Sequence, residues 1–70
     1  MPVFVQKAFI NKERMFRENI FHPLLDTHKL NGKYKDFWAF TIVGQYRAMF
    51  SFLTQDMVAL INIGTHSIYR

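Results

Sequence analysis

Near residue 30 the chain changes the way it spaces its apolar side chains, and that change limits the folds open to it. Before it, Val5, Phe9, Met15/Phe16 and Ile20 recur at intervals of roughly three to four, one side of a helix. Lys7, Lys12, Glu13, Arg14, Arg17 and Glu18 supply the wet face. Asn11 is a weak helix former and marks a possible break. Asn19 is suited to capping the C-terminus, and Pro23 prevents further continuation. The expectation is one helix over residues 5–19. A connector from His22 to Leu30 follows, tacked to the core by Leu24 and Leu25.

After residue 30 the pattern is that of strands. Asn31-Gly32 is the strongest short turn dipeptide. Phe37 to Val43 is rich in aromatic and β-branched residues, which favour a strand. Gly44-Gln45 makes a tight link to Tyr46–Leu53, and Thr54-Gln55-Asp56 turns the chain into Met57–Ile63. Gly64-Thr65 ends that segment. Consecutive strands with short links form a meander. The expected class is therefore α+β: an N-terminal helix packed on one face of an antiparallel three- to four-stranded sheet. On Tyr46–Leu53, period two sets Arg47, Met49, Ser51 and Leu53 against Tyr46, Ala48, Phe50 and Phe52. If the phenylalanines lie under the helix, Arg47 points to the open face, either as an ordinary solvated cation or as a functional group.

Seventy residues make one domain, with no room for a second core. A chain this short buries only about 60% of its unfolded surface, so its stability is expected to be marginal. Half of it is hydrophobic and 17% aromatic, enough for one compact core and too much for a disordered chain. With no Cys there is no disulfide staple and no thiolate metal site. Nine Lys/Arg against five Asp/Glu leave a formal +4, a field suited to an anionic partner such as nucleic acid or an acidic protein segment. No apolar run approaches the roughly 20 residues that span a bilayer. Met1-Pro2-Val3-Phe4-Val5 lacks the charged leader and long apolar core of a signal peptide. A cytoplasmic protein without membrane contact is expected.

Four segments, in order, resemble motifs of the RelE/ParE superfamily of toxins. Thr27-His28-Lys29-Leu30-Asn31-Gly32-Lys33 is similar to its H-x-L-x-G turn, and Phe37-Trp38-Ala39-Phe40-Thr41-Ile42 to its W-S-F-R-I strand. Gly44-Gln45-Tyr46-Arg47-Ala48-Met49-Phe50 resembles G-x-Y-R-x-x-F, and Ile63-Gly64-Thr65-His66 resembles I-G-T-H. Upstream, Phe16-Arg17-Glu18-Asn19 and His22-Pro23-Leu24 look like the family's helix exit, so the likeness covers residues 14–70. The resemblance implies a single toxin domain over residues 1–70 that lacks the usual first strand and helix, about twenty residues. It also implies that a cognate antitoxin or a second copy covers the sheet edge or helix face left open. Pro2–Val5 would form a short substitute strand.

Nuclease members cut mRNA in the ribosomal A site without a metal or other cofactor. RNA carries its own 2′-hydroxyl nucleophile, so such a site needs only a base, an acid and cations for the phosphorane. By resemblance to the YafQ-like branch, His28 and His66 match the two motif histidines: His66 as general acid, His28 as base or phosphate contact, in an order the residues leave open. Arg47 matches the phosphate-binding arginine of the RelE and HigB-like branches. Tyr69 corresponds to the C-terminal aromatic that stacks on a base or assists proton transfer, one residue closer to His66 than the pattern has it. Lys29, Lys33, Lys35 and Arg70 would hold RNA or phosphate. Thr41 and Gln45 stand where the YafQ-like pattern has a further His and an Asp.

Each residue also has a plain structural reading. His28 before a turn can hydrogen-bond the backbone, His66 can anchor the tail, and His22 is assigned to structure. The lysines can simply solvate the turn, and Trp38 is read as core or antitoxin-facing. Histidines without Cys and with few carboxylates make a poor metal site. Three functions stay open: an mRNA endonuclease, a ParE-like inhibitor of DNA gyrase, and a truncated, non-catalytic remnant that binds antitoxin or self-associates.

Overall fold

The computed structural model describes residues 2–65. Helix α1 runs Val3–Glu18, two residues earlier than the apolar stripe suggests. The reason is Pro2. At φ −58° and ψ 148° it occupies the N-cap position, where a missing N–H costs nothing. Its carbonyl accepts from the N–H groups of Val5 (3.1 Å) and Gln6 (3.2 Å), closing the first turn. The substitute strand at Pro2–Val5 is therefore wrong: Val3, Phe4 and Val5 are already helical. Asn11 does not interrupt the helix, since its propensity cost of a few tenths of a kcal/mol is small beside the burial of Val5 and Phe16. Asn19 ends α1 in an extended conformation (φ −157°), its N–H still bonded to the Met15 carbonyl.

The connector is ordered by local hydrogen bonds. His22 Nδ1 accepts the Leu24 N–H (3.1 Å) and caps a 3-10 turn over Pro23–Leu25. Asp26 turns the chain in the left-handed region (φ 50°), which short polar side chains tolerate. Leu25 is fully buried, but Leu24 is exposed, so only one of the two expected anchors reaches the core.

Four strands follow: β1 (His28–Lys29), β2 (Trp38–Val43), β3 (Tyr46–Phe52) and β4 (Val58–Gly64). They form one antiparallel meander in the order β1-β2-β3-β4. The class is α+β, with α1 packed on one face of the four-stranded sheet. Val5 and Phe16 of α1, Leu25 of the connector, Phe40 and Ile42 of β2, and Ala48 and Phe50 of β3 build the core. Phe16 stacks on Phe40 (centroids 4.6 Å apart) and meets Phe50 edge-on (4.9 Å). Trp38 packs edge-on against Phe21 (5.7 Å) and Phe52 (5.6 Å) on the same side. A bulge between Thr41 and Val43 lets Ile42 and Val43 both join the helix-side cluster.

The opposite face is not wholly open. Leu30, Ala39 and Met49 are buried there beneath Tyr34 and Phe37 of the loop between β1 and β2. Asn31-Gly32 turns the chain as its composition suggests, but into a 3-10 turn over Gly32–Tyr34 rather than a tight hairpin. The Gly44-Gln45 link is tight, with positive φ at Gly44 (55°). A Cβ at Gly44 would meet no atom, so Gly44→Ala isolates the backbone cost of the left-handed conformation. It should lower stability by about 1 kcal/mol, read from a urea midpoint shifted at unchanged slope. No helix among the described residues is long and apolar enough to cross a membrane.

Candidate functional site

Strand register decides which of the candidate residues share a surface, because directly paired residues project to the same face. His28 pairs with Ala39, Ala39 with Met49, and Met49 with Asn62. Thr41 pairs with Arg47, and Arg47 with Gly64. Both rows lie on the face away from α1, the face on which Ala39 and Met49 are buried. His28 and Arg47 thus share one surface, two strands and two residues apart, about 12 Å between Cα positions from sheet spacing. Period two on β3 already places Arg47 away from the phenylalanines, and the structure keeps Ala48 and Phe50 on the helix side.

His28 is exposed at the sheet edge, and its ring orientation is set by a hydrogen bond. Nδ1 lies 2.8 Å from the Asp26 carbonyl oxygen. A carbonyl only accepts, so Nδ1 carries the proton in the neutral ring and Nε2 carries the lone pair. The left-handed turn at Asp26 brings that carbonyl to the ring, giving the connector a part in the site.

Arg47 is half-buried and clamped. Its Nη1 donates to the carbonyls of Gly44 (2.8 Å) and Tyr46 (3.2 Å), tying the guanidinium to the β2–β3 turn. Among the described residues its Nε and Nη2 have no hydrogen-bond partner, and this edge of the fork matches two oxygens of a phosphate. Thr41 lies beside it on β2, and Gln45 is exposed in the turn.

The lysines separate. Lys33 and Lys35 are exposed on the loop whose Tyr34 and Phe37 cover the His28 face, and the Lys33 ammonium lies 5.2 Å from the Tyr34 ring centre. Lys29 pairs with Trp38, which pairs with Phe50, so it projects toward the helix side at the edge. Of three lysines close in sequence, two lie on the loop that covers the candidate surface, with Asp36 on the same loop. His66, Tyr69 and Arg70 lie outside the described residues.

Ser51 and Asn62 are further polar residues on this face, paired with Ala59 and Met49. Ser51 was legible from the alternation along β3. Asn62 was not, because a bulge between Leu60 and Asn62 breaks the period on β4. No strand residue of this face carries a carboxylate: Glu13 and Glu18 are on α1, and Asp26, Asp36 and Asp56 lie in connecting segments. On the strands of this face Arg47 is therefore a cation with no carboxylate on the same strands to neutralise it, which favours an anion there. Among the described residues no three His, Cys, Asp or Glu side chains cluster as a metal site would require. His22, with Nδ1 engaged in the turn cap, stands apart from this surface in a structural role.

Comparison with family models, with curated proteins and with solved structures finds no significant match to the chain.

Proposed function

We propose that this chain is a RelE/ParE-type toxin that cuts mRNA on the ribosome by metal-independent acid–base chemistry in the cytoplasm. The observation that carries the reading is the placement of His28 and Arg47 on one sheet face whose strand residues carry no carboxylate. His28 presents Nε2, and Arg47 presents the Nε–Nη2 edge. The resemblance of the four ordered motifs supplies the reaction class.

In this reading Nε2 of His28 takes the proton from a ribose 2′-hydroxyl. The 2′-oxygen attacks phosphorus, and the bond from phosphorus to the 5′-oxygen breaks. A 2′,3′-cyclic phosphate and a 5′-hydroxyl result, the leaving oxygen taking its proton from His66. Arg47 grips nonbridging phosphate oxygens, while Lys33 and Lys35 hold the backbone on either side of the scissile step. Tyr69 stacks on a base and Arg70 makes a further phosphate contact. A cognate antitoxin with an acidic or amphipathic helical segment covers the cationic face and keeps the toxin silent.

The test is primer-extension mapping of mRNA ends after induction of the chain in cells, beside His66→Ala and Arg47→Ala. New ends inside translated codons are expected from the wild type. Arg47→Ala should reduce them roughly 10²–10³-fold, the usual loss when one donor to a developing oxyanion is removed. A folded wild-type protein that produces no new ends overturns the nuclease reading and leaves gyrase inhibition or a non-catalytic binder.

A further inference from the structure

Sheet edges differ sharply in how they are protected. At one edge β1 is only two residues long and is followed by Lys33 and Lys35. At the other, β4 is seven residues long, and no residue from Met57 to Thr65 is charged or Pro. Short edges and lysines prevent sheet-to-sheet pairing, whereas a long uncharged edge invites it. Along this outer strand and its hairpin, Leu53, Met57, Leu60 and Ile61 stand 46–61% exposed. The middle of β4 is its most exposed part, the reverse of a strand that ends its own sheet in a covered position.

We propose that a second copy of this chain pairs with β4 in antiparallel fashion about a two-fold axis, extending the sheet to eight strands. This inference is independent of the nuclease reading. Charge distribution favours a second copy over an acidic partner. Among the described residues the cations lie on α1 (Lys7, Lys12, Arg14, Arg17), at the β1 edge with its loop (Lys29, Lys33, Lys35) and at the β2–β3 turn (Arg47). Two copies joined at β4 keep the β1 edges outermost and the helical cations away from the seam. Among the described residues no cation lies on β4 itself.

The bulge selects the register. On β4, Val58 and Ile63 project toward the helix side and Ala59 and Asn62 toward the other, as their β3 partners do. Pairing Val58 with Ile63 of the second copy, and Ala59 with its Asn62, keeps like faces together throughout. Leu60 then lies opposite Ile61 of the second copy, and the two such pairs join four exposed apolar side chains at the axis. An odd-plus-even pairing of this kind fails on a regular strand, where it would set opposite faces together. The same register carries Asp56 of each copy to the Gly64–Thr65 end of the other. Asn62 Oδ1 already holds the Ile63 N–H (2.9 Å), so the ladder between copies uses the remaining groups from Val58 to Asn62. Both candidate RNA faces would lie on the same side of the joined sheet.

Sedimentation equilibrium of the full chain tests this, with Leu60→Glu and Ile61→Lys as variants. Both side chains are nearly half exposed, so each variant should keep the wild-type circular dichroism. The wild type is expected to be a dimer at micromolar concentration. Each variant alone should associate roughly 100-fold more weakly, because it buries a charge without a partner. An equimolar mixture should recover the dimer, since one ion pair and one native Leu60–Ile61 pair then form. Should either variant fail to fold, amide exchange in the wild type serves instead: protection of residues 58–62 must rise with protein concentration. A folded wild-type monomer, a dimer indifferent to both substitutions, or a mixture that stays monomeric would each overturn the proposal.

Discussion

Phe16→Ala should melt roughly 15–30 °C below the wild-type chain. That follows from about 4 kcal/mol for truncating a buried Phe and about 4–8 °C per kcal/mol in a domain this small. Phe16 is 6% exposed, and it is the α1 side chain that enters the aromatic core, stacked on Phe40 and edge-on to Phe50. Val5 and the partly buried Ala8, Phe9 and Met15 remain, but Val5, the other buried anchor, lies at the opposite end of α1, three turns away. A domain of this length has only about 5 kcal/mol of net stability to lose, so Phe16→Ala should lie near its own midpoint at room temperature. Ile10→Ala on the solvent side of the same helix, at 58% exposure, supplies the control and should shift the melt by no more than a few degrees. Equal melting of the two variants, followed by far-UV circular dichroism, would mean that the helix–sheet contact is not what stabilises the domain.

The helix, the three long strands and their order were legible because each has a period and a boundary signal. Phe9 and Phe16 mark the stripe, Gly44-Gln45 and Thr54-Gln55-Asp56 mark the links, and each maps onto an observed element. What escaped the sequence depends on contacts far along the chain. Leu30, Tyr34 and Phe37 read as parts of a connector, a turn and a strand, yet together they cover Ala39 and Met49 from the side opposite α1. Nothing local marks β1 as a strand, since His28-Lys29 becomes one only by pairing with Trp38-Ala39. The side of Lys29 was hidden for the same reason: adjacency to His28 suggested a shared surface, but a residue next to another on a strand projects to the opposite face. The face of Arg47 was legible because it followed from the Phe50 and Phe52 pattern within a single strand. Its clamp on the Gly44 carbonyl did not, because that needs the folded turn.

On the proposed nuclease reading, His28→Ala should reduce ribosome-dependent mRNA cleavage by about 10²–10⁴-fold, the range for removing a general base, while leaving the melting temperature nearly unchanged. The two effects separate because His28 is exposed at the sheet edge and contributes nothing to either apolar cluster. Alanine alone does not tell a base from a backbone brace, since it removes both ring nitrogens. His28→Asn does. Its side-chain amide nitrogen falls near the Nδ1 position and can still donate to the Asp26 carbonyl, but nothing replaces Nε2. If the ring serves as the base, Asn should be as inactive as Ala. If its work is to hold the turn at Asp26, Asn should recover most of the activity, and the proton transfer would have to be assigned to another residue. Measured as the cleavage rate of mRNA on programmed ribosomes, beside the melting curve of each variant, the Ala–Asn comparison separates chemistry from support at His28.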